Sequence, residues 1–229
     1  MRQFRRSAYP LRFFLPDFLP VSPAANITPK TMAAARPSPS RSASQRTVRA
    51  PHEVRIIGGQ WKRTRLPVPD LPGLRPTPDR VRETLFNWLG QDLDGQRCLD
   101  LFAGTGILGF EAASRGAAAV VLVERDTRAI DALHKAAKTL HASQVEIVRG
   151  DAVRFAETTP RSFNGVFLDP PYSLGWIERV QPWLDRLLEP DGWLYVESEA
   201  AVEKLGAWHV VKQGRAGQVH FQLMRRSQA

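Results

Sequence analysis

The sequence predicts an α/β domain with a mostly parallel, doubly wound sheet, and three observations support this fold class. Strand-like and helix-like segments alternate from residue 97 onward with short connections. Acidic residues follow four successive strand-like segments, at the edge where open parallel sheets bind ligands. A glycine-rich turn, GTGILG at residues 104–109, joins the first of these strands to the next helix. Together they predict a Rossmann-like core over residues 96–229.

A small N-terminal unit is expected before this core, over residues 53–90. Two short strand-like runs flank Gly58-Gly59, a pair typical of a hairpin turn. The next run, RPTPDRVRETLFNWL, predicts a helix with Thr77 as its N-cap and Pro78 at its first position. Apolar residues recur there at helical spacing, so one face should pack on the core: Val81, Leu85, Trp88 and Leu89.

The core elements follow in chain order. Strands are predicted in RCLDLFA, AVVLVERD, VEIVRGD, FNGVFLDPPY and GWLYVESE, and a short helix is expected after the third. Helices are predicted in ILGFEAASR, TRAIDALHKAAKTL and WIERVQPWLDRLLEP, the last one broken near Pro182. The runs AWHVVKQ and GQVHFQLMRR predict a closing antiparallel hairpin at the edge of the sheet.

The first 52 residues differ in composition from the rest of the chain. They hold nine basic side chains against one acidic, and eight of the 18 prolines. A disordered tail, an organellar transit peptide and an over-long gene start with Met32 as the true start all fit this composition. The fold prediction therefore rests on residues 53–229 alone.

Charge and composition exclude several classes for the remaining chain. Residues 54–82 hold seven basic side chains against two acidic, which suggests a polyanionic partner or simply a solvated surface. No apolar run reaches the roughly 18 residues that a membrane helix needs. The single cysteine, Cys98, excludes an internal disulfide framework and a cysteine-based zinc site, and its apolar neighbours predict a buried spectator.

The acids at the strand ends, Asp100, Glu124, Asp151 and Asp169, predict a shared ligand site. Gly104, Gly106 and the acid 20 residues after Gly104 also match a dinucleotide-binding fingerprint. However, a dinucleotide would bring its pyrophosphate into a rim of four carboxylates. S-adenosylmethionine (SAM), which carries a sulfonium and an ammonium and no phosphate, suits this lining better.

Each of these residues can be given a role toward SAM. Asp100 can attract the methionine ammonium, Glu124 can accept the ribose hydroxyls, and Asp151 can accept from the adenine amine. Gly104 and Gly106 let the backbone approach the ligand. We also include the neighbouring Phe102, Arg125 and Ala152 in the predicted cofactor site.

The stretch LDPPY, residues 168–172, ends the fourth strand because proline cannot donate to a sheet ladder. It also suits catalysis on a nucleobase amine. The Asp169 carboxylate and the Pro170 carbonyl can accept the amine hydrogens, Pro170 and Pro171 stiffen the backbone, and Tyr172 can stack on the base. Such a base must be single-stranded or flipped out. These residues alone allow guanine N2, adenine N6 or cytosine N4 equally.

The chain resembles a known family at this point. DLFAGTG followed by DPPY is similar to class I SAM-dependent methyltransferases that act on amines. More narrowly, RIIGGQWKRTRLPVP, GLRPTPDRVRETLFNWL, CLDLFAGTGILGFEAASRGA, DPPY and YVESE, in this order, resemble the bacterial 16S rRNA guanine-N2 methyltransferases of the RsmD type. The family often has Phe where this chain has Tyr172, a change that keeps the stacking ring.

The resemblance implies a seven-stranded sheet, SAM as the only cofactor without a metal, and guanine-966 of 16S rRNA as the target. The partner would be the small ribosomal subunit or a late assembly intermediate, and we expect a cytoplasmic monomer without membrane contact. An organelle is the alternative if the tail is a transit peptide. The basic residues of the N-terminal unit are then candidates for RNA contact: Arg55, Lys62, Arg63, Arg65, Arg75, Thr77, Arg80 and Arg82. Those in the block of residues 75–82 could instead become ordered over the methyl donor, or the helix among them could serve only to dock on the sheet.

Two functions of other classes remain as alternatives to the methyltransferase. The glycine-rich turn keeps a nicotinamide-dependent oxidoreductase open, and the basic band keeps a non-catalytic rRNA-binding assembly factor open.

Overall fold

The computed structural model describes residues 53–172 and 175–227, and its strands and helices follow the predicted order. The strands are β1 Glu53–Arg55, β2 Arg65–Pro67, β3 Arg97–Asp100, β4 Ala119–Glu124, β5 Val145–Arg149, β6 Phe163–Leu168, β7 Leu188–Ser198, β8 Lys204–Leu205, β9 Trp208–Ala216 and β10 Val219–Arg226. The helices are α1 Asp79–Leu89, α2 Ile107–Ser114, α3 Thr127–Leu140, α4 Ala152–Thr158, α5 Trp176–Val180 and α6 Leu184–Leu187. The interpretations of residues 1–52 lie outside the described residues.

The main sheet has the order β5-β4-β3-β6-β7-β10-β9-β8. Its first five strands are parallel, and the last three pair antiparallel. This confirms the predicted α/β fold with a mostly parallel sheet and an antiparallel C-terminal hairpin. The two-residue strand β8 makes eight strands where seven were expected, because two residues are too short to show an alternating pattern.

Helices cover both faces of the sheet and divide the buried side chains into two clusters. Residues that alternate along β3 enter different clusters, Cys98 on the side of α1 and α2 and Leu99 on the side of α4 and α6. Burial raises the pKa of the Cys98 thiol to about 12, so this free cysteine is the spectator that the sequence predicts. None of the described helices is long and apolar enough to cross a lipid bilayer.

The predicted break in the helical segment after residue 175 is confirmed. Helix α5 ends at Val180, a 3-10 turn follows at Gln181–Trp183, and α6 begins at Leu184. Pro182 lies in this turn, where its missing N–H and its ring prevent a continuous α-helix.

The predicted N-terminal hairpin is present, but its loop is wider than a tight turn. Strands β1 and β2 pair antiparallel and are joined by residues 56–64. Gly58 and Gly59 serve a different purpose in this loop from the one predicted. A Cβ on Gly59 would lie 1.8 Å from the Ser114 carbonyl oxygen, and one on Gly58 would overlap the Arg115 guanidinium. The glycines therefore allow the hairpin to pack against the end of α2.

A buried ion-pair cluster connects the hairpin, α1 and α2. Glu111 accepts from the Arg82 guanidinium at 2.7 Å, from Arg115 at 3.2 Å and from the backbone N–H of Ile57. Arg82 and Glu111 are both 0% exposed. Because unpaired buried charges are strongly unfavourable, these partners must stay together, and the cluster holds the N-terminal unit on the core.

Candidate active site

Three acids lie together at the carboxyl ends of the parallel strands. Asp100 is the last residue of β3, Glu124 is the last residue of β4, and Asp169 directly follows β6. The negative charge of Glu124 is close enough to Asp100 to raise the pKa of Asp100. The charge of Asp100, in turn, is close enough to Asp169 to raise the pKa of Asp169. Asp151 follows β5, where its side chain accepts the Arg154 backbone N–H and caps α4, and Ala152 is the buried first residue of that helix.

The glycine-rich turn is tied to Glu124. Gly104 donates its backbone N–H to one carboxylate oxygen of Glu124 at 2.8 Å, and Arg125 and Asp126 donate to the other at 2.7 and 2.8 Å. A carboxylate has about four acceptor positions, so roughly one remains for a ligand hydroxyl in this arrangement. Gly106 has a φ of 72°, and a Cβ there would lie 2.4 Å from the Leu133 side chain, so this position requires glycine.

Asp100 has the environment of a ligand-binding carboxylate. It is 2% exposed and accepts the backbone N–H groups of Gly109 and Phe102, while its Oδ1 has no hydrogen-bond partner among the described residues. Burial raises the pKa of the Asp100 carboxyl to about 7, and repulsion from Glu124 and Glu197 adds to this shift. A buried oxygen left without a donor is unfavourable, and a cationic ligand would relieve it.

Pro170, Pro171 and Tyr172 line one side of a groove, and Asp169 directly precedes them in the chain. Pro170 is buried, and Tyr172 is 46% exposed, an unusual degree for a large aromatic ring in this structure. Trp176 and Glu197 also line the groove, which has a volume of about 230 Å³. An exposed ring beside a groove is available to stack on a planar ligand.

Glu197, which the sequence analysis missed, and Thr77, which it named as a helix cap and an RNA contact, belong to this site. Parallel pairing of Leu168 with Val196 brings the next residues, Asp169 and Glu197, side by side. The Thr77 side chain forms hydrogen bonds with both carboxyl groups. Burial raises the pKa of Asp169 well above its usual value, and the neighbouring Glu197 charge raises it further. The run YVESE, at another strand end, was the signal that could have revealed Glu197.

Thr77 is thus not the N-cap that the sequence predicts. Pro78 holds the N-cap position of α1 and makes no side-chain hydrogen bond there. Thr77 is buried, and its hydroxyl faces the acids instead of the helix end. Its contact with RNA stays a prediction, for a buried hydroxyl beside Asp169 and Glu197.

Trp176 is the second group that sequence reasoning missed. Its ring is 8% exposed, contacts the Phe102 ring edge-on at 5.6 Å between centroids, and lies 5.6 Å from the Arg125 guanidinium. Its indole N–H has no partner among the described residues. Phe102 and Arg125 are both predicted cofactor residues, so these contacts place Trp176 next to the predicted cofactor site. The indole N–H is therefore a hydrogen-bond donor that a ligand there could use. Only a lone tryptophan at the start of a helix marked it in the sequence.

The proposed RNA-contact residues fall into different environments. Lys62, Arg63, Arg75 and Arg80 are exposed to differing degrees, and the Arg75 charge reaches the Tyr172 hydroxyl at the groove. Two others are exposed but ion-paired: Arg55 with Asp79 at 2.6 Å and Arg65 with Glu53 at 3.2 Å. The prediction for Arg82 is wrong, because its guanidinium is fully buried against Glu111 and Asp79 and cannot reach a phosphate.

A larger cavity of about 540 Å³ lies at the opposite edge of the sheet. It is lined by the amino-terminal ends of β3, β4, β5 and β6, including Arg97, Val145 and Phe163. The strand-end acids are not among its lining residues, so size alone does not mark the functional site of this fold.

Comparison with known proteins agrees with this geometry. The family profile described as "Conserved hypothetical protein 95" matches residues 54–225. The "Ribosomal RNA small subunit methyltransferase D" of Escherichia coli (strain K12) is 45% identical over 183 residues, which are 76% of this chain and 90% of that protein. The chain belongs to the ribosomal RNA small subunit methyltransferase D family.

Solved structures support the family's fold for this chain. A structure from Escherichia coli is 42% identical, covers 77% of this chain and 99% of its own, and superimposes with a TM-score of 0.70. An RNA methyltransferase from Salinibacter ruber in complex with S-adenosyl-L-homocysteine shares the fold at 20% identity, with a TM-score of 0.54 and coverage of 67% and 95%. Every predicted site residue lies inside the 54–225 match to the methyltransferase D family.

Proposed function

We propose that this protein transfers a methyl group from SAM to the exocyclic N2 of a guanine in 16S rRNA, with guanine-966 as the expected position. One observation carries the proposal. Pro170, Pro171 and Tyr172 of the stiff tetrad of residues 169–172 line a groove, and the Asp100 carboxylate, whose Oδ1 has no partner among the described residues, lies close enough to Asp169 to raise its pKa. Such a reaction needs two parts. We call the carboxylate that binds the cationic methyl donor, with its neighbours, the donor half, and the groups that accept the hydrogens of the target amine the acceptor half.

The donor half fits SAM by the chemistry of its lining. Bound SAM supplies a methyl group on a positively charged sulfur, which leaves as a neutral thioether once the methyl is transferred. Asp100 would hold the ammonium, Glu124 a ribose hydroxyl, and Asp151 the adenine amine through the oxygen that does not cap α4. Gly104 and Gly106, with φ of 52° and 72°, give the turn beside the proposed ligand a backbone shape that other residues rarely adopt.

The acceptor half has to prepare a weak nucleophile, because the lone pair of a nucleobase amine is delocalised into the ring. Asp169 and the Pro170 carbonyl would accept the two amine hydrogens, which turns the lone pair toward the donor. Tyr172 would stack on the base, a contact worth roughly 1–3 kcal/mol. Catalysis of this kind depends on alignment and electrostatics in the groove.

The RNA surface is proposed to run from the hairpin to the groove. Lys62 and Arg63 on the hairpin and Arg75 beside Tyr172 are cations that can neutralise phosphates. The family's relatives are named for the small-subunit rRNA, so we propose 16S rRNA in the small subunit or a late assembly intermediate as the partner.

A labelled-methyl assay tests this function. Small-subunit particles from a bacterial strain lacking its methyltransferase D are incubated with the protein and labelled SAM, and the rRNA is digested to nucleosides. We expect label in N2-methylguanosine at a single position. Label in N6-methyladenosine or N4-methylcytidine would overturn the choice of base, and absence of label would favour a non-catalytic assembly factor. Binding of NADH without binding of SAM would favour an oxidoreductase.

A further inference from the structure

Glu197 is a buried carboxylate in the acceptor half of the groove. It is 4% exposed, follows the last paired residues of β6 and β7, Leu168 and Val196, by one position, and lines the groove with Pro170 and Tyr172. In a parallel sheet, residues in register on neighbouring strands point to the same face. Asp169 lies just beyond the last register pair, and the effect of the Glu197 charge on its pKa, with the Thr77 contact that both share, places the two carboxyl groups together as a pair of acceptors.

The Glu197 side chain is fixed from two directions. The fully buried Tyr195 donates its hydroxyl to Glu197 Oε1 at 2.8 Å, and the Thr77 hydroxyl, which has one hydrogen to donate, is in hydrogen-bonding contact with both Glu197 and Asp169. These contacts use about two of the four acceptor positions of a carboxylate. A fixed carboxylate with unused positions, lining a groove, is suited to recognise a ligand group of defined geometry.

A purely structural role explains Glu197 poorly. None of the ion pairs between described residues includes it, although a buried charge without a cation is unfavourable. Burial raises the pKa of Glu197 to about 6, which is the cost that burial places on its ionised form. Glutamine or methionine would fill this volume without the cost of burying a carboxylate. A hydrogen-bond donor on a bound ligand would offset that cost and explain why an acid stands here.

The target bases differ in the group that stands next to the amine. In guanine the N1–H donor is adjacent to the N2 amine, whereas in adenine and cytosine the neighbouring ring nitrogen carries no hydrogen and is an acceptor. A second carboxylate beside the amine-binding Asp169 matches two adjacent donors and repels an acceptor. Sites that bind an N–H of the substrate discriminate strongly against analogues that lack it.

We propose that Glu197 is a specificity-determining residue that accepts the N1–H of the target guanine, while Asp169 and the Pro170 carbonyl hold its N2 amine. This inference rests on the proposed methyl transfer to a nucleobase amine. Residues 169–172 alone allow guanine, adenine or cytosine equally, and in this proposal Glu197 is the residue that selects guanine.

The test compares guanine with 2-aminopurine, which keeps the C2 amine but has no hydrogen on N1. After the labelled nucleotide has been mapped, small-subunit particles are reconstituted with either base at that position. The wild-type protein, Glu197→Gln, Glu197→Met and a control, Glu189→Gln, are assayed for kcat/KM on both. Glu189 is on the same strand, β7, but is paired with Arg97 at the far edge of the sheet.

We expect Glu197→Met to lose on the order of 10- to 100-fold on guanine, the loss of a hydrogen bond to a charged acceptor, and to lose nothing or to gain on 2-aminopurine, whose N1 is an acceptor that Glu197 repels. Glu197→Gln should be intermediate, and Glu189→Gln should match the wild type. SAM affinity within a few-fold of the wild type shows that the Glu197 variants are folded. Equal losses on both bases would overturn the inference and leave the methyl transfer intact. A wild-type protein that labels adenine or cytosine overturns it too, and one that labels nothing refutes the proposed function itself.

Discussion

Replacing Asp100 with asparagine should stabilise the ligand-free protein and weaken SAM binding. The folded state holds the Asp100 carboxyl buried, with its pKa raised from 3.8 to about 7. Between pH 3.8 and about pH 7 the Asp100 carboxyl is ionised in the unfolded chain but still protonated in the folded chain. The free energy of unfolding therefore falls as the pH rises through this range. Above about pH 7 the three-unit shift corresponds to at most about 4 kcal/mol of lost stability.

The asparagine side chain would remove this penalty and keep an oxygen for the backbone N–H groups of Gly109 and Phe102. Urea unfolding near pH 7.5 should therefore show a higher free energy of unfolding for Asp100→Asn, and the gain should shrink toward pH 4. Calorimetric titration with SAM should show the opposite change. Losing a hydrogen bond between a carboxylate and an ammonium costs about 1.5–3 kcal/mol, which is roughly 10- to 150-fold in Kd.

The same carboxyl gives a pH signature that the variant should lose. A cationic ligand favours the ionised form, so wild-type SAM affinity should fall as pH drops below about 7, and binding near pH 6 should release protons. Glu146→Gln, which alters an exposed acid paired with Arg161 at the opposite edge, is the control and should change both quantities little. An Asp100→Asn variant that is less stable and binds SAM normally would mean that Asp100 only anchors the turn, and the reasoning would be refuted.

Three further predictions follow from the proposed roles. Asp169→Ala should abolish methyl transfer and leave SAM affinity within a few-fold in calorimetry; a large loss of SAM binding would contradict its place in the acceptor half. Tyr172→Phe should stay active and Tyr172→Ala should not, since stacking needs only the ring, and a dead Phe variant would show that the hydroxyl matters. Changing both Lys62 and Arg63 to Gln should weaken rRNA binding and reduce the slope of log affinity against log salt concentration by about two units. Arg82→Met should leave this salt slope unchanged and lower the free energy of unfolding by about 3–5 kcal/mol. An Arg82 variant with a lower salt slope would mean that this residue contacts RNA after all.

The sheet was predictable because its signal is local and repeated. Each parallel strand is a short apolar run, and an acid at its end is visible regardless of which strands become neighbours, so the sequence could place Asp100, Glu124 and Asp169 at the carboxyl ends of strands. The strand order itself, with β3 between β4 and β6, follows from the connections and from long-range pairing.

The misses have one physical cause: a partner distant in sequence overrides a local pattern. Thr77 before Pro78 has the pattern of a helix cap, but acids more than 90 residues away take its hydroxyl. Arg82 looked like a surface cation because nothing near it in sequence reveals that Glu111 is buried against it. A capping or charge pattern therefore predicts what a side chain can do, and only the fold determines which partner it meets.

The electrostatics of the site also decide between the two ligands that its glycine-rich turn allows. Asp100, Asp169 and Glu197 all have raised pKa values, and burial is the largest cause for each, with repulsion among the acids adding to it for Asp100 and Asp169. Placing a doubly charged pyrophosphate here would raise these pKa values further and bind protons along with the ligand. A sulfonium with an ammonium would lower them and release protons. The direction of proton exchange on binding is thus a property of the ligand class, and the acid-rich strand ends of this chain favour the cation.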